Sequence, residues 1–289
     1  MSRTAAVSSA FEAERGRMLN RRKRALLWSA GAAALLAAVW GGGYLFGADS
    51  FASRLELRNL PPSWSHPFGT DWLGRDMFAR TIKGLGLSIR VGLTAAAVSV
   101  VIAAALGLAA ATMGRAVDRA VTWLIDLFLS VPHLVTLILI SFVLGGGAKG
   151  VIVGVALTHW PNLTRVIRAE ALYLKSAEYV QISRKLGKSR AWVASRHLLP
   201  HLAPQLLVGL LLIFPHAVLH EASITFLGLG LSPHEPAIGI ILSESMRYLS
   251  TGLWWLAFFP GLCLLVVVRA FDVLGDHLRA LSDPRSAQE

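Results

Sequence analysis

One cysteine, Cys263, occurs among the 289 residues of the chain. A lone thiol can form no internal disulfide and join no cysteine metal cluster, so packing is its default role. Acidic residues are also few, 17 Asp and Glu against 28 Lys and Arg. The sequence offers no converging set of nucleophiles and carboxylates of the kind an enzyme needs. A phosphate-binding loop is missing as well. Gly187-Lys188-Ser189 has the ending of one, but Ile182 stands where the motif requires Gly, so its backbone cradle cannot form. Asn162-Leu163-Thr164 matches a glycosylation sequon by chance, since it falls within or beside an apolar stretch. If the protein does work that requires energy, a partner must supply it.

Apolar residues are abundant. A hydrophobic content of 54% and a mean hydropathy of +0.56 exceed what one water-soluble core can use, and the charge is confined to a few segments. Charge-free runs at Ala25–Phe46 and Val91–Met113 are long enough to cross roughly 30 Å of hydrocarbon as helices. Further candidates, each with isolated polar residues, lie at about Val121–Leu144, Val151–Ala171, Leu202–Leu229 and Gly252–Leu274. The pattern predicts an all-α polytopic membrane protein with six transmembrane helices. The first run is longer than the apolar core of a secretory signal, about 7–15 residues, and reads as a retained anchor. Pro132 and Pro215 are expected to kink their helices. Asp126, expected to be buried in the third span, needs a partner such as Arg119 or Arg165.

Most of the basic residues fall on one side if the N-terminus is inside. They cluster before the first run, at Arg115 and Arg119, between Arg165 and Arg196, and at Arg269, Arg279 and Arg285. By the positive-inside rule both termini face the cytoplasm. The net charge of +11 then comes from groups flanking the spans and points to membrane lipid, not to nucleic acid.

The segment Ala177–Pro200 is charged and set between two apolar stretches. Helix is expected from Glu170 to Leu186, with a break at Gly187, a capped second helix at Ser189, and Pro200 in the first turn of the next span. Tyr179, Val180, Ile182, Leu186, Trp192 and Val193 alternate with Arg184, Lys185, Lys188, Arg190 and Arg196. Such a helix can lay its apolar face in a groove of a soluble partner. A solvated amphipathic loop, or one lying on anionic headgroups, fits the same pattern.

Here the chain resembles the permease subunits of bacterial ATP-binding-cassette importers, in the branch serving dipeptides, oligopeptides and nickel. Their signature is Glu-Ala-Ala, three residues, Gly, nine residues and an apolar ending in Leu-Pro. This chain has Gln181-Ile182-Ser183, then Gly187, then His197-Leu198-Leu199-Pro200. The Gly and the Leu-Pro fit. The triplet departs, and an amide at Gln181 cannot make the salt bridge that a carboxylate would. The run from His66 to Asp76 is similar to the family's HPxGTDxxGRD element, and Glu221–Gly230 to its EASxSFLGLG stretch. Phe258-Phe259-Pro260-Gly261, Leu274–Arg279 and Asp283-Pro284-Arg285 resemble its last helix and tail.

The resemblance implies a permease of the type I importer (MetI-like) fold in the bacterial inner membrane. It would pair with a homologous second permease, dock two ATPase subunits that bind ATP and Mg, and receive substrate from an extracytoplasmic binding protein. The chain itself would be non-catalytic and bind no cofactor. Residues 1–86 would supply the N-terminal tail, first helix and extracytoplasmic loop, and residues 87–289 the permease domain with a coupling loop at about 170–200. Glu178, Gln181, Ile182, Ser183, Arg184, Leu186, Gly187 and Pro200 would belong to the ATPase-coupling segment. In the extracytoplasmic loop, Gly69 and Gly74 allow sharp turns, and Asp71, Arg75 and Asp76 can hydrogen-bond backbone or one another.

The histidines bear on the cargo. His216 and His220 are four apart and share a helix face, with Glu221 adjoining. Imidazoles so spaced can ligate nickel, copper or zinc, although no firm metal site follows. The pair, with His159-Trp160, resembles the nickel permeases. His159, His216, His220 and Glu221 are therefore expected to line a path for nickel or a metal chelate, with a dipeptide or oligopeptide path as the alternative. A membrane-embedded enzyme and a passive channel are the readings from other classes.

Overall fold

A computed structural model describes residues 2–46 and 52–282. Ten α-helices follow in order: α1 (Ser2–Leu45), α2 (Met77–Thr112), α3 (Arg115–Ser130), α4 (His133–Val143), α5 (Gly147–Lys175), α6 (Glu178–Lys185), α7 (Arg190–Val193), α8 (Leu199–Phe226), α9 (Ile238–Met246) and α10 (Trp255–Ser282). Among the described residues, the only extended pairing outside these helices is an isolated bridge between Thr70 and Asp76.

Four segments among the described residues are helical, long and apolar enough to cross a membrane: Arg24–Leu45, Met77–Thr112, Arg190–Phe226 and Trp255–Arg279. The helix expected over Val121–Leu144 is two, α3 and α4, bent by 96° and apolar enough only when taken together. Proline biases the residue before it away from helical dihedrals, and Val131 is extended, with φ −98° and ψ 139°. The expected kink at Pro132 is thus a break, whereas Pro215 stays inside α8. The expected fourth span is helical as α5, but its polar middle, with His159, Asn162 and Arg165, is less apolar than the four segments above. Length and composition therefore support four or five of the six expected crossings.

α5 is nonetheless well buried, with Val151, Val155 and Ile167 fully enclosed. It packs chiefly on α2, the central helix. A Cβ on Gly107 would lie 2.8 Å from a methyl of Ile167, so these helices approach more closely than any larger residue at 107 allows. Ala95, Ala96 and Ala103 of α2 are also fully buried. In a bilayer, where apolar burial gives helices little reason to associate, such close small-residue packing is a main source of cohesion. One core cluster includes Leu85, Phe214, Val218 and Val267, and a second Ile125, Trp160, Ile167 and Leu198.

Two local expectations are corrected. The helix predicted from Glu170 to Leu186 stops at Lys175, and Ala177 is extended, with ψ 142°. The Ser176 hydroxyl donates to the Tyr173 carbonyl at 2.6 Å, a local bond that competes with helix continuation. Pro200 stands in the first turn of α8, as expected, but α8 is not a separate helix. The chain is helical from Arg190 to Phe226 through a π turn at Ala194–Leu198, in which Leu199 N–H reaches back to the Ala194 carbonyl. That turn falls just before the missing N–H of Pro200. Asp126 does pair with Arg165, at 2.7 Å, but its side chain is 60% exposed and not buried as expected.

Candidate functional site

The α1–α2 loop is pinned by its own polar residues. Asp71 Oδ1 accepts from Leu73 N–H and Arg75 N–H at 2.9 Å each. Its Oδ2 accepts from Arg75 Nε at 2.6 Å and Arg80 Nη1 at 2.7 Å. Arg80 then reaches Glu244 of α9 at 2.9 Å, and Arg75 reaches the same oxygen at 3.3 Å. Asp76 caps α2 through Ala79 N–H at 2.8 Å and pairs with His66 Nδ1 at 2.7 Å. Gly69 and Gly74 have φ of 71° and 73°. At Gly74 a Cβ would stand 1.8 Å from the Arg54 carbonyl, so glycine is required twice over.

At the other end, α6 and α7 form a short hairpin under the bundle. Val180 is fully buried and anchors α6 in the second core cluster. Ser183 Oγ lies 2.9 Å from His197 Nε2, and Gln181 donates to the Lys175 carbonyl at 3.2 Å. Gly187 turns the chain with φ 80°, and Ser189 Oγ caps α7 by accepting from Trp192 N–H at 3.1 Å. Lys175 and Arg190 donate to the Ala111 and Met113 carbonyls, tying the hairpin to the end of α2. Lys175 lies past the apolar part of α5. Its burial, with Arg184 and Arg190 nearby, holds the ammonium pKa below the usual lysine value. Tyr179, Ile182 and Leu186 face outward, the last two 56% and 73% exposed. Glu178 and Arg184 flank this face, while Pro200 sits in the first turn of α8.

A cavity of about 570 Å³ opens between α4, α5 and α8. Leu129, Leu163, Val166 and Leu212 give it apolar walls, and His133, His159, Asn162, Gln205, His216, His220 and Arg279 supply polar groups. A smaller cleft of about 380 Å³ lies beside the α1–α2 loop, but its His66 and Asp76 are already paired with each other.

The structure places three of the four expected path residues, His159, His216 and His220, on the cavity wall. Glu221 is not there: it is fully buried and accepts from Thr225 Oγ1 at 2.9 Å. One residue beyond His220 lies about 100° further round the helix, which turns this side chain into the core. The expected His216–His220 pair is also not the unit that forms. His220 clusters instead with His159 and with His133, whose ring centroids lie 4.5–5.2 Å apart, while His216 donates from Nδ1 to its own helix at Leu212, 3.0 Å away. His133 was missed because it lies far from His159 and His220 in sequence. Its signal was a polar residue at a helix start just after Pro132.

The family model described as "Binding-protein-dependent transport system inner membrane component" matches residues 100–286. A putative peptide transport system permease of Brucella abortus is 35% identical over 238 residues, which cover 82% of this chain and 80% of the relative. The dipeptide transport system permease DppC of Bacillus subtilis is 34% identical over 231 residues, 80% of this chain and 72% of the relative. A putative peptide permease of Brucella suis is 37% identical over 235 residues, 80% of this chain and 77% of the relative. The chain belongs to the inner-membrane permeases of ATP-binding-cassette importers, in the dipeptide and oligopeptide family. It is a multi-pass inner-membrane transport subunit.

Proposed function

We propose that the chain forms half of the translocation path of an ATP-driven importer of dipeptides or oligopeptides. What carries the cargo class is the naming of its relatives as peptide and dipeptide permeases, at 34–37% identity. The nickel or metal-chelate path expected from His216 and His220 gives way to this reading. His216 stands outside the histidine cluster, and Glu221 faces the core.

In this mechanism a homologous permease completes the path, and two ATPase subunits bind ATP and Mg. The α6–α7 hairpin couples to an ATPase: Tyr179, Ile182 and Leu186 enter a groove while Arg184 and Lys185 set orientation. ATP binding closes the ATPases and rocks the helices between inward-facing and outward-facing states, through contacts that differ between the two. A binding protein delivers cargo over the pinned α1–α2 loop. The positive-inside bias supports cytoplasmic termini.

Uptake of a labelled dipeptide and of radioactive nickel by the reconstituted complex, compared at equal complex abundance, tests the cargo. ATP-dependent dipeptide accumulation without nickel accumulation is expected. Nickel uptake in its place would restore the metal path.

A further inference from the structure

The three clustered histidines come from three helices, His133 from α4, His159 from α5 and His220 from α8. Each offers a ring nitrogen within 4.8 Å of those of the other two. His159 Nδ1 lies 2.9 Å from the Val155 carbonyl. A carbonyl only accepts, so Nδ1 carries the proton and Nε2 keeps its lone pair. A backbone partner of this kind orients a metal-ligating imidazole. His133 Nε2 is shielded from solvent and has no hydrogen-bond partner among the described residues. Packing histidines would be expected to satisfy such an atom, whereas a bound cation would satisfy it directly.

We propose that His133, His159 and His220 bind a divalent transition-metal ion of the zinc, nickel or copper class, which fastens α4, α5 and α8 together at the cavity wall. Imidazole nitrogen suits these ions, and a set without carboxylates does not suit Mg or Ca. Metal–nitrogen bonds of about 2.0–2.1 Å require nitrogens roughly 3.4 Å apart in a tetrahedral shell, a contraction within reach of side-chain rotation. Three ligands leave a coordination position open to the cavity, where water or a polar group of the cargo completes the shell. An ion held from three helices is retained, since passage requires weak and transient contacts. It is therefore a fastener and not the cargo, and its binding does not depend on which cargo the importer carries.

The test uses the full chain in its assembled complex, purified through a tag without histidine, stripped of metal and titrated with Co²⁺ and Zn²⁺. The expected results are one site per chain, visible Co²⁺ absorption typical of a tetrahedral site with nitrogen ligands, displacement by Zn²⁺, and a rise in Tm on loading. His133→Asn, His159→Gln and His220→Asn should each weaken binding at least about tenfold, while His216→Asn changes it less than about twofold. Absence of the Co²⁺ spectrum in the wild-type complex overturns the proposal whatever the variants do. Binding that survives the triple substitution overturns it as well. Dipeptide uptake, read separately, reports on the importer assignment alone.

Discussion

The α1–α2 loop and the α6–α7 hairpin are both motif segments between membrane helices, and they spend their residues differently. In the loop the charged groups turn inward: the Asp71 and Arg80 side chains are 3% and 5% exposed and tie the loop to α2 and α9. In the hairpin Arg190 reaches the Met113 carbonyl at the end of α2, but Val180 alone in α6 is buried, and large apolar side chains remain outside. The first segment is complete by itself. The second has the surface of something made to be covered. A family motif can therefore mark internal architecture in one place and an uncovered apolar face in another, and the direction of its apolar side chains tells the two apart.

The comparison breaks if the loop tolerates loss of its central carboxylate. Asp71→Ala leaves two guanidinium groups near a single remaining acceptor, Glu244, and orphans two backbone donors. A loss of about 3–5 kcal/mol is expected, read as a lower Tm and reduced yield of assembled complex. A smaller effect is expected at the hairpin turn. A Cβ on Gly187 meets nothing within 4 Å, so Gly187→Val is opposed by backbone strain alone, about 1–3 kcal/mol. Membrane insertion should survive while transport and substrate-stimulated ATP hydrolysis fall. Gly187→Asn, which tolerates positive φ, should lose less. Normal stimulation in the valine variant would remove the hairpin from the coupling route.

Much of this was legible from residues. Charge-free runs marked the first two crossings, and Pro132 marked the discontinuity between α3 and α4 though not its 96° angle, which depends on what the two pieces pack against. α5 was legible as a helix but not as a buried one with polar residues. Its polar positions are served by neighbours, as Arg168 is by Asp118 and Arg165 by Asp126. Continuity through Pro200 was not legible, because a π turn has no sequence signature as plain as a capping box. The histidine cluster was half legible. Spacing put His216 and His220 on one face, but only the fold brings His133 and His159 to His220 and leaves His216 a turn away.

The central claim is that the exposed face of α6 docks an ATPase. Ile182→Glu with Leu186→Glu changes two outward side chains and should alter the stability of the chain by no more than about 0.5 kcal/mol at each site. Mild extraction and co-purification, with Tm measured on the same samples, read both properties together. The wild type should retain its ATPase subunits in fixed proportion, and the variant should lose them at an unchanged Tm. Full retention of the ATPases by the variant would contradict the account.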